Sequence, residues 1–375
     1  MKLKKMTLSV MIIVVVFLIF STAAYAQDDY SENSDWGFGP YVDLSGGLGL
    51  TVKYNGFTLF DGLKTNVYLS GVANYNMSGF FRNPDGTEYN PTVDEMMNGF
   101  YRRRNYGIGV GAGQELIHDT ENNHSLLEAF LFYKYNKERY LEDEWPSNSL
   151  IYDTNLPDRF GLEQKIILGG LFYNNVQINA VDQTREGMSC LVTIENAPRT
   201  LNQYADYTRF HTSIIGFSTL KNDDTISVYV GNRLILDRLT GDNIPIYART
   251  TFGSAIREFV PMPGVELPGL GGGFRGVPMG QFDGFAKVVN NFDLRINYPQ
   301  VWGPDYIPEM IFYGDVGAKD DLNGQINWGD CKYSLGMGLG VHFTRWYNTD
   351  ILLYYNYFIN DQEASFSFML GFTHF

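Results

Sequence analysis

The chain has 375 residues, of which 15% are aromatic and only 19% are charged, and its formal net charge is −14. This acidic balance argues against a nucleic-acid partner, which would require a basic face. After residue 26 no run of 18 apolar residues occurs, so we expect no membrane-spanning helix there. An aromatic, glycine-rich chain of modest hydropathy is typical of a barrel whose strands alternate between lipid and lumen.

Residues 1–26 have the pattern of a secretory signal peptide. Three lysines precede the apolar run Leu8–Phe20, and Ala24-Tyr25-Ala26 forms a small-residue cleavage site. The alternative is a membrane anchor, but the run is short for a span of about 20 residues. We therefore expect cleavage and export. Residues 27–39 are acidic and predict a short periplasmic tail, and residues 40–375 predict the barrel.

Thirteen segments separated by turn residues predict β-strands. They are Tyr41–Tyr54, Lys64–Phe81, Tyr101–His118, Leu126–Tyr140, Gly161–Asn174, Gly187–Asn196, Tyr204–Leu220, Asp224–Leu239, Phe285–Tyr298, Glu309–Lys319, Lys332–Trp346, Asp350–Asn360 and Glu363–Phe375. Closed bacterial barrels have an even number of strands, so at least one strand is missing, with Val176–Val181 and Ile244–Glu258 as candidates. We expect an all-β fold, a transmembrane antiparallel β-barrel of 16 strands, with 14 as the alternative.

The last segment ends on an aromatic residue, Phe375, and resembles the terminal signal of bacterial outer-membrane barrels. Phe366 and Phe372 share one face of the predicted strand, whereas Phe375 falls on the other. A bulge near Thr373 would bring them together. The alternative is the edge strand of a soluble sandwich.

Residues 259–283 are rich in glycine and proline and cannot form one regular element. Two predicted strands follow this loop, and each carries one carboxylate, Asp293 or Asp315. An arginine bracketed by glycines on such a loop, Arg275, predicts a loop pinned inside a hollow structure.

Four pieces of the chain, in order, carry a resemblance to a known family. They are Asp182-Gln183-Thr184-Arg185-Glu186-Gly187, Gly272-Gly273-Phe274-Arg275-Gly276, Asn291-Phe292-Asp293-Leu294-Arg295 and Phe312-Tyr313-Gly314-Asp315-Val316-Gly317. Together they resemble the bacterial surface-antigen superfamily, which includes the outer-membrane barrel-assembly protein and the two-partner-secretion translocators. The resemblance covers about residues 160–375. It departs from the family at Val277, where the family usually has an aromatic residue, and in the shorter spacing between the glycine pair and Arg275.

The resemblance implies that the loop 259–283 folds into the lumen and that Arg275 pairs there with Asp293 and Asp315. We name these three residues the loop lock. A guanidinium is always charged, and its planar fork of donors suits two carboxylates. The flanking glycines would let the backbone approach the wall closely: Gly272, Gly273 and Gly276. The alternative is an exposed arginine on a mobile loop.

The resemblance also implies a function in the outer membrane, either membrane-protein insertion or polypeptide translocation. The expected partners are outer-membrane lipid and unfolded outer-membrane or secreted polypeptides, and we expect a monomer. Family members with these functions usually carry periplasmic polypeptide-binding (POTRA) domains, for which residues 27–39 are too few. We therefore expect a barrel-only member, with a separate periplasmic partner as an option. The alternative is a passive channel, a porin or a surface antigen without assembly activity.

Enzymatic chemistry has little support in the sequence. No Gly-x-Ser-x-Gly or His-Glu-x-x-His motif occurs, and none of the five histidines lies in a recognisable nucleophile arrangement. We expect no enzyme, no catalytic residue, no metal and no cofactor. Cys190 and Cys331 could pair in an oxidising periplasm, but we favour no disulfide.

Overall fold

The computed structural model describes most of the barrel region. Its described ranges are 36–43, 47–60, 62–78, 101–119, 125–140, 162–203, 205–245, 248–252, 274–277, 282–303, 305–344, 349–360 and 362–372. The predicted signal peptide, residues 1–26, and residues 27–35 of the predicted tail lie outside them. One compact unit comprises Phe38–Phe375, and a second, Met1–Gly37, contributes only its last two residues to the described chain.

The described chain is almost entirely β-structure. Its strands are β1 (Trp36–Asp43), β2 (Gly47–Phe60), β3 (Leu63–Ser78), β4 (Tyr101–Asp119), β5 (Ser125–Tyr140), β6 (Leu162–Asn174), β7 (Gln177–Ile178), β8 (Arg185–Ala197), β9 (Asp206–Lys221), β10 (Ser227–Asn243), β11 (Ala286–Asn297), β12 (Tyr306–Lys319), β13 (Lys332–Phe343), β14 (Thr349–Phe358) and β15 (Glu363–Phe372). No helix long and apolar enough to cross a membrane occurs in the part of the chain that the structure describes.

Fourteen of these strands form one sheet in chain order, from β1 to β15, and the short β7 pairs with β8 at its side. From β2 onward, neighbouring strands pair antiparallel. Between the described residues of β1 and β15 no ladder is formed. The described sheet thus has the 14 strands given as the alternative count, two fewer than 16.

The strand that completes the 14-stranded sheet lies at the start of the chain. The predicted strand Tyr41–Tyr54 is in fact two strands, β1 and β2. Residues 44–46 lie outside the described residues; in the sequence, Ser45-Gly46-Gly47 is a turn signal at this division. β1 begins at Trp36 and so includes the end of the predicted tail, residues 27–39.

The two candidate positions hold minor structure instead. Residues 177–178 form β7, and Thr250 makes an isolated bridge with Gly284. Residues 253–258 lie outside the described residues. Phe375 and the predicted bulge near Thr373 also lie outside them, whereas β15 pairs with β14 in unbroken register from Glu363 to Phe372.

Side chains alternate between two environments along the strands. On β11 the side chains of Asn291, Asp293 and Arg295 are buried, while Phe292 between them is 45% exposed. Large apolar side chains project from the outer face of many strands: Ile108, Leu131, Ile194, Phe312, Leu339 and Leu353. Apolar residues outside and charged residues inside are the pattern of barrel strands that face lipid and a polar lumen.

The sheet curls around this polar interior. Ile235 on β10 and Phe358 on β14 belong to one buried cluster, although several strands separate them. The guanidinium of Arg295 on β11 likewise reaches the hydroxyl of Tyr354 on β14, at 3.5 Å. The core therefore lies inside the curl, and the loop between β10 and β11 contributes to it.

Candidate functional site

The structure places the side chain of Arg275 against the inner wall, between β11 and β12. Its Nη1 donates to Oδ1 of Asp293 at 2.6 Å. Its Nε and Nη2 donate to the two oxygens of Asp315, at 3.0 and 2.6 Å. The backbone amide of Arg275 also donates to Asp315, at 2.8 Å. The three residues that the sequence singled out are therefore in direct contact.

Strand register explains why both carboxylates face the loop. Asp293 on β11 lies opposite Tyr313 on β12, and Asp315 lies two residues further along β12. Side chains two residues apart on a strand point to the same face. Asp293 and Asp315 are therefore diagonal neighbours on the inner face, spaced for one guanidinium.

A second arginine extends the ionic network along the wall. Arg295, which is 1% exposed, donates from Nε and Nη2 to Oδ2 of Asp293, at 3.1 and 2.9 Å. Its Nη1 donates to Oε1 of Glu309 at 2.8 Å, and the hydroxyl of Tyr229 donates to the same oxygen at 3.3 Å. Asp293 thus accepts from a loop arginine with one oxygen and from a wall arginine with the other.

Burial gives these contacts their energetic weight. Arg275 is 7% exposed, and both of its carboxylate partners are buried. Burial disfavours the charged guanidinium, but Asp293 and Asp315 outweigh that effect and raise the pKa of Arg275 above its ordinary value. Removing one partner of such a group leaves a buried charge without compensation, which costs several kcal/mol. The ring of Tyr313 adds a cation–π contact, with its centroid 3.7 Å from Cζ of Arg275.

Aromatic side chains hold the residue next to Arg275. Phe274 stacks on Phe252 with ring centroids 5.1 Å apart, and its amide donates to the carbonyl of Phe252 at 2.8 Å. Phe358 on β14 packs edge-on against Phe274, at 6.0 Å. Phe282 contacts both Phe252 and Phe358. Phe274 and Arg275 of the loop are therefore fixed by aromatic packing and by ion pairs, respectively.

Two glycines permit this close approach. Gly276 has a φ of +81°, a left-handed conformation that favours glycine, and a Cβ there would lie 3.0 Å from Cβ of Asn356. On the wall, a Cβ at Gly317 would lie 2.9 Å from the ring of Phe252 and 3.0 Å from that of Phe274. Gly317 therefore leaves the space in which the loop aromatics lie.

The remaining predicted residues divide into two groups. Gly272 and Gly273 lie outside the described residues. The piece 182–187 lies at the entry to β8, where Asp182 accepts from Ser227 on β10 at 2.7 Å. The carbonyl of Asp182 also accepts from Asn297 at the end of β11, at 2.7 Å. This piece therefore ties the start of β8 to the ends of two wall strands.

Sequence reasoning missed several members of the site. Arg295 and Glu309 had no role assigned, and Phe252 lay outside the loop range 259–283. The sequence could have indicated Arg295, because Arg295 lies two residues after Asp293 and side chains two residues apart on a strand share a face. Glu309 and Phe252 are brought in by register and by the path of the chain, which the sequence does not display.

In the described ranges, no group of three or more His, Cys, Asp or Glu side chains is arranged so that it could hold a metal ion. Cys190 and Cys331 are both free thiols.

The fold and the site together define a class of protein. The class is that of antiparallel β-barrels that have an apolar outer face, a charged inner face and an arginine on a loop bound to the inner face. No family model matches the chain, and no curated protein matches it. Among solved structures, 75 chains match.

One of these is the crystal structure of BamA from Haemophilus ducreyi lacking POTRA domains 1–3. The superposition has a TM-score of 0.50 at 16% sequence identity and covers 86% of this chain and 61% of that chain. At this identity the likeness is one of fold. The chain has a BamA-like barrel fold, so the fold that the sequence resemblance implied is confirmed.

Proposed function

We propose that this chain is a bacterial outer-membrane barrel that takes part in membrane-protein insertion or polypeptide translocation, and that the loop lock controls access to its lumen. One observation carries the proposal: Arg275 joins the loop to two neighbouring wall strands at once, inside a BamA-like barrel fold. A loop held in this way can close a lumen, and its release would open a path for a polypeptide.

The outer membrane is the proposed location. Exposed apolar side chains cover the outer face of the described strands, where they would cost free energy in water. The predicted signal peptide, residues 1–26, would deliver the chain across the inner membrane, and outer-membrane lipid would then cover the apolar face. A separate periplasmic partner that captures the polypeptide is part of this proposal.

The lock would act by holding the loop in the lumen. In the closed state Phe252, Phe274 and Phe282 of the loop pack between Ile235 on β10 and Phe358 on β14, and would keep water away from the buried charges. Opening must separate Arg275 from two carboxylates, so an opened state is populated only when something compensates that loss. An unfolded polypeptide, inserting from the periplasmic side, is the partner that we propose for this.

Conductance tests the lock directly. We expect the purified protein in a planar bilayer to be silent or to flicker, and Arg275→Ala to open it, because the loop loses its ionic attachment. Arg199→Ala is the matched control, since Arg199 is an exposed arginine between β8 and β9. Steady, large conductance in wild type and variant alike would favour a simple porin and reduce Arg275 to an ordinary loop residue.

Insertion activity needs its own assay. A urea-denatured outer-membrane barrel is diluted into liposomes that contain the protein, and its folding is followed by heat-resistant mobility and protease protection. We expect faster folding than in empty liposomes, and an altered rate with Arg275→Ala but not with Arg199→Ala. A rate equal to that in empty liposomes, with and without a periplasmic extract, would contradict the assembly function.

A further inference from the structure

Two buried carboxylates face each other on the inner wall at β4 and β5. Glu115 on β4 and Glu128 on β5 are register partners and are 2% and 1% exposed. Like charges directly opposite each other on neighbouring strands repel. Among the described residues no arginine or lysine forms an ion pair with either carboxylate, whereas Asp293 and Asp315 both have an arginine. Buried charges are stable only when they are compensated, so this pair requires positive charge from another source.

The contacts that the two carboxylates make leave this charge in place. Oε1 of Glu128 accepts from the hydroxyl of Tyr68 on β3, at 2.6 Å. Oε2 of Glu115 accepts from the backbone amide of Lys64, at 3.4 Å, and contacts Nδ1 of His118, at 2.9 Å. The imidazole of His118 is charged only when protonated, and 37% of this side chain is exposed. Neutral donors lower the cost of burying a carboxylate, but they do not neutralise it.

A glycine and an asparagine complete the surroundings of Glu128. A Cβ at Gly113 on β4 would overlap Oε1 of Glu128, so this carboxylate lies across the backbone of β4. Asn66 on β3 is the register partner of Gly113 and is 0% exposed. Its amide lies near the hydroxyl of Tyr68, yet neither its nitrogen nor its oxygen has hydrogen-bond geometry with a described residue. A buried amide without a protein partner beside two carboxylates indicates a ligand.

These side chains form one group on three neighbouring strands, which we name the carboxylate cluster: Asn66, Tyr68, Glu115 and Glu128. Asn66 and Tyr68 are two residues apart on β3 and so share a face. Both carboxylates act electrostatically on the hydroxyl of Tyr68. The cluster therefore presents carboxylate, amide and phenol oxygens to one region of the inner face.

The carboxylate cluster lies near the periplasmic end of its strands. Asn66 and Glu128 are close to the first residues of β3 and β5, and Glu115 is close to the last residue of β4. The connections at this end, residues 61–62 and 120–124, are short. Short turns of outer-membrane barrels lie on the periplasmic side. A ligand of the cluster would therefore come from the periplasm.

We propose that the carboxylate cluster binds one hard divalent cation, through Glu115, Glu128 and the amide oxygen of Asn66. Ca²⁺ fits best, because it prefers carboxylate and amide oxygens, accepts irregular geometry and completes its coordination with water. Only two acidic side chains take part, so the cluster differs from a site of three or more His, Cys, Asp or Glu side chains, which the described ranges lack. It also departs from the sequence-based expectation of no metal. The ion would compensate both buried charges and join β3, β4 and β5.

Lys53 on β2 distinguishes a bound cation from a pair that the protein compensates alone. Its Nζ lies 5.9 Å from the ring centroid of Tyr68, and it forms no ion pair with a described carboxylate. An ammonium at this place repels a cation bound in the cluster, but it favours the two carboxylates when no cation is bound. Lys53→Met should therefore tighten cation binding.

Titration with CaCl2 tests the proposal on the purified, refolded protein in non-ionic detergent. Divalent ions are removed with EDTA, the chelator is removed by gel filtration, and binding is measured by isothermal titration calorimetry. We expect one ion per chain, and binding at least about tenfold weaker in Glu128→Gln, because a charged ligand is lost. Asn66→Leu should also bind more weakly. Glu163→Gln is the matched control, since Glu163 is an exposed carboxylate on β6, and it should bind like wild type.

Three results would overturn the site. They are no Ca²⁺ binding by wild type, equal affinity in Glu128→Gln and Glu163→Gln, and weaker binding in Lys53→Met. If Glu128→Gln does not fold, Asn66→Leu and Lys53→Met decide, because both keep the two carboxylates. The midpoint of urea unfolding gives a second measure, since Ca²⁺ should raise it in wild type and less in Asn66→Leu. The site goes beyond the proposed function, and neither measurement uses a polypeptide or conductance, so either idea can fail while the other stands.

Discussion

Arg295 is the residue on which the wall side of the site depends. It holds Oδ2 of Asp293 and one oxygen of Glu309, and it is 1% exposed. Three carboxylates surround two arginines here, so each arginine compensates more than one negative charge. Arg275 differs in one respect, because it belongs to a loop and not to a wall strand.

We therefore expect Arg295→Ala to destabilise the barrel more than Arg275→Ala does. Buried carboxylates on the wall would lose their cation with no water to replace it, at a cost of about 3–5 kcal/mol. Urea unfolding in liposomes measures this, with Arg199→Ala as the exposed control, expected within about 0.5 kcal/mol of wild type. Arg295→Lys should recover part of the loss. If Arg295→Ala unfolded like the control, Asp293 would not depend on the wall arginine.

At the scale of single residues, the sequence singled out Arg275, Asp293 and Asp315, which are in contact, and it missed the residues that pack around them. Arg275, Asp293 and Asp315 stand out because their residue types and flanking glycines resemble a family pattern. Gly317 looks like any strand glycine until the structure places the rings of Phe252 and Phe274 against it. Such contacts join segments far apart in the chain, and no local pattern encodes them.

Among the elements, β13 displays the two faces of the wall most clearly. Leu335, Met337 and Leu339 project outward and are more than half exposed. The residues between them are glycines, and a Cβ at Gly336 would lie 2.5 Å from the ring of Tyr313. Between Leu335 and Leu339 the inner face of β13 is therefore bare backbone, on which Tyr313 of β12 and Tyr354 of β14 lie.

Depth in the membrane should decide what a charge on this outer face costs. Met337→Arg near the middle of β13 is expected to cost about 2–4 kcal/mol, and Tyr333→Arg near its end about 0–1 kcal/mol. The two residues are similarly exposed, at 53% and 46%, so exposure alone would not separate them. Unfolding of both variants in liposomes makes the comparison. Equal small costs would mean that lipid does not cover this face.

Strand prediction succeeded where alternation was strong and failed where glycine interrupted it. The segments from Tyr101 to Tyr140 correspond closely to β4 and β5, because aromatic and aliphatic residues alternate there. The first predicted strand joined β1 and β2, because glycines are typical of turns and also occur inside barrel strands. Glycine has both uses in this fold, and its position alone does not distinguish them.

At the scale of the whole molecule, the net charge and the charge of the inner wall differ. The net charge is −14, yet the described inner wall pairs most of its carboxylates with arginine or lysine. Opening the lumen by removing a cation would therefore leave it negative. Ions that pass through would experience that excess.

We expect the channel opened by Arg275→Ala to prefer cations, because Asp315 would lose its partner. Reversal potentials across asymmetric KCl measure the preference, which should weaken at high salt as the Debye length falls from about 10 Å at 0.1 M to about 3 Å at 1 M. Arg275→Ala with Asp315→Asn should show a smaller preference. An anion preference in the single variant would indicate that other wall charges dominate the open pore.

The sharing of Asp293 between two arginines has a consequence for reversibility. When Arg275 departs, Arg295 still holds the carboxylate in its rotamer, and Tyr313 remains beside it. The vacated socket thus keeps its shape. Closing again would then require no rearrangement of the wall side chains. The return of the loop residues around Arg275 would be the slow step of each cycle.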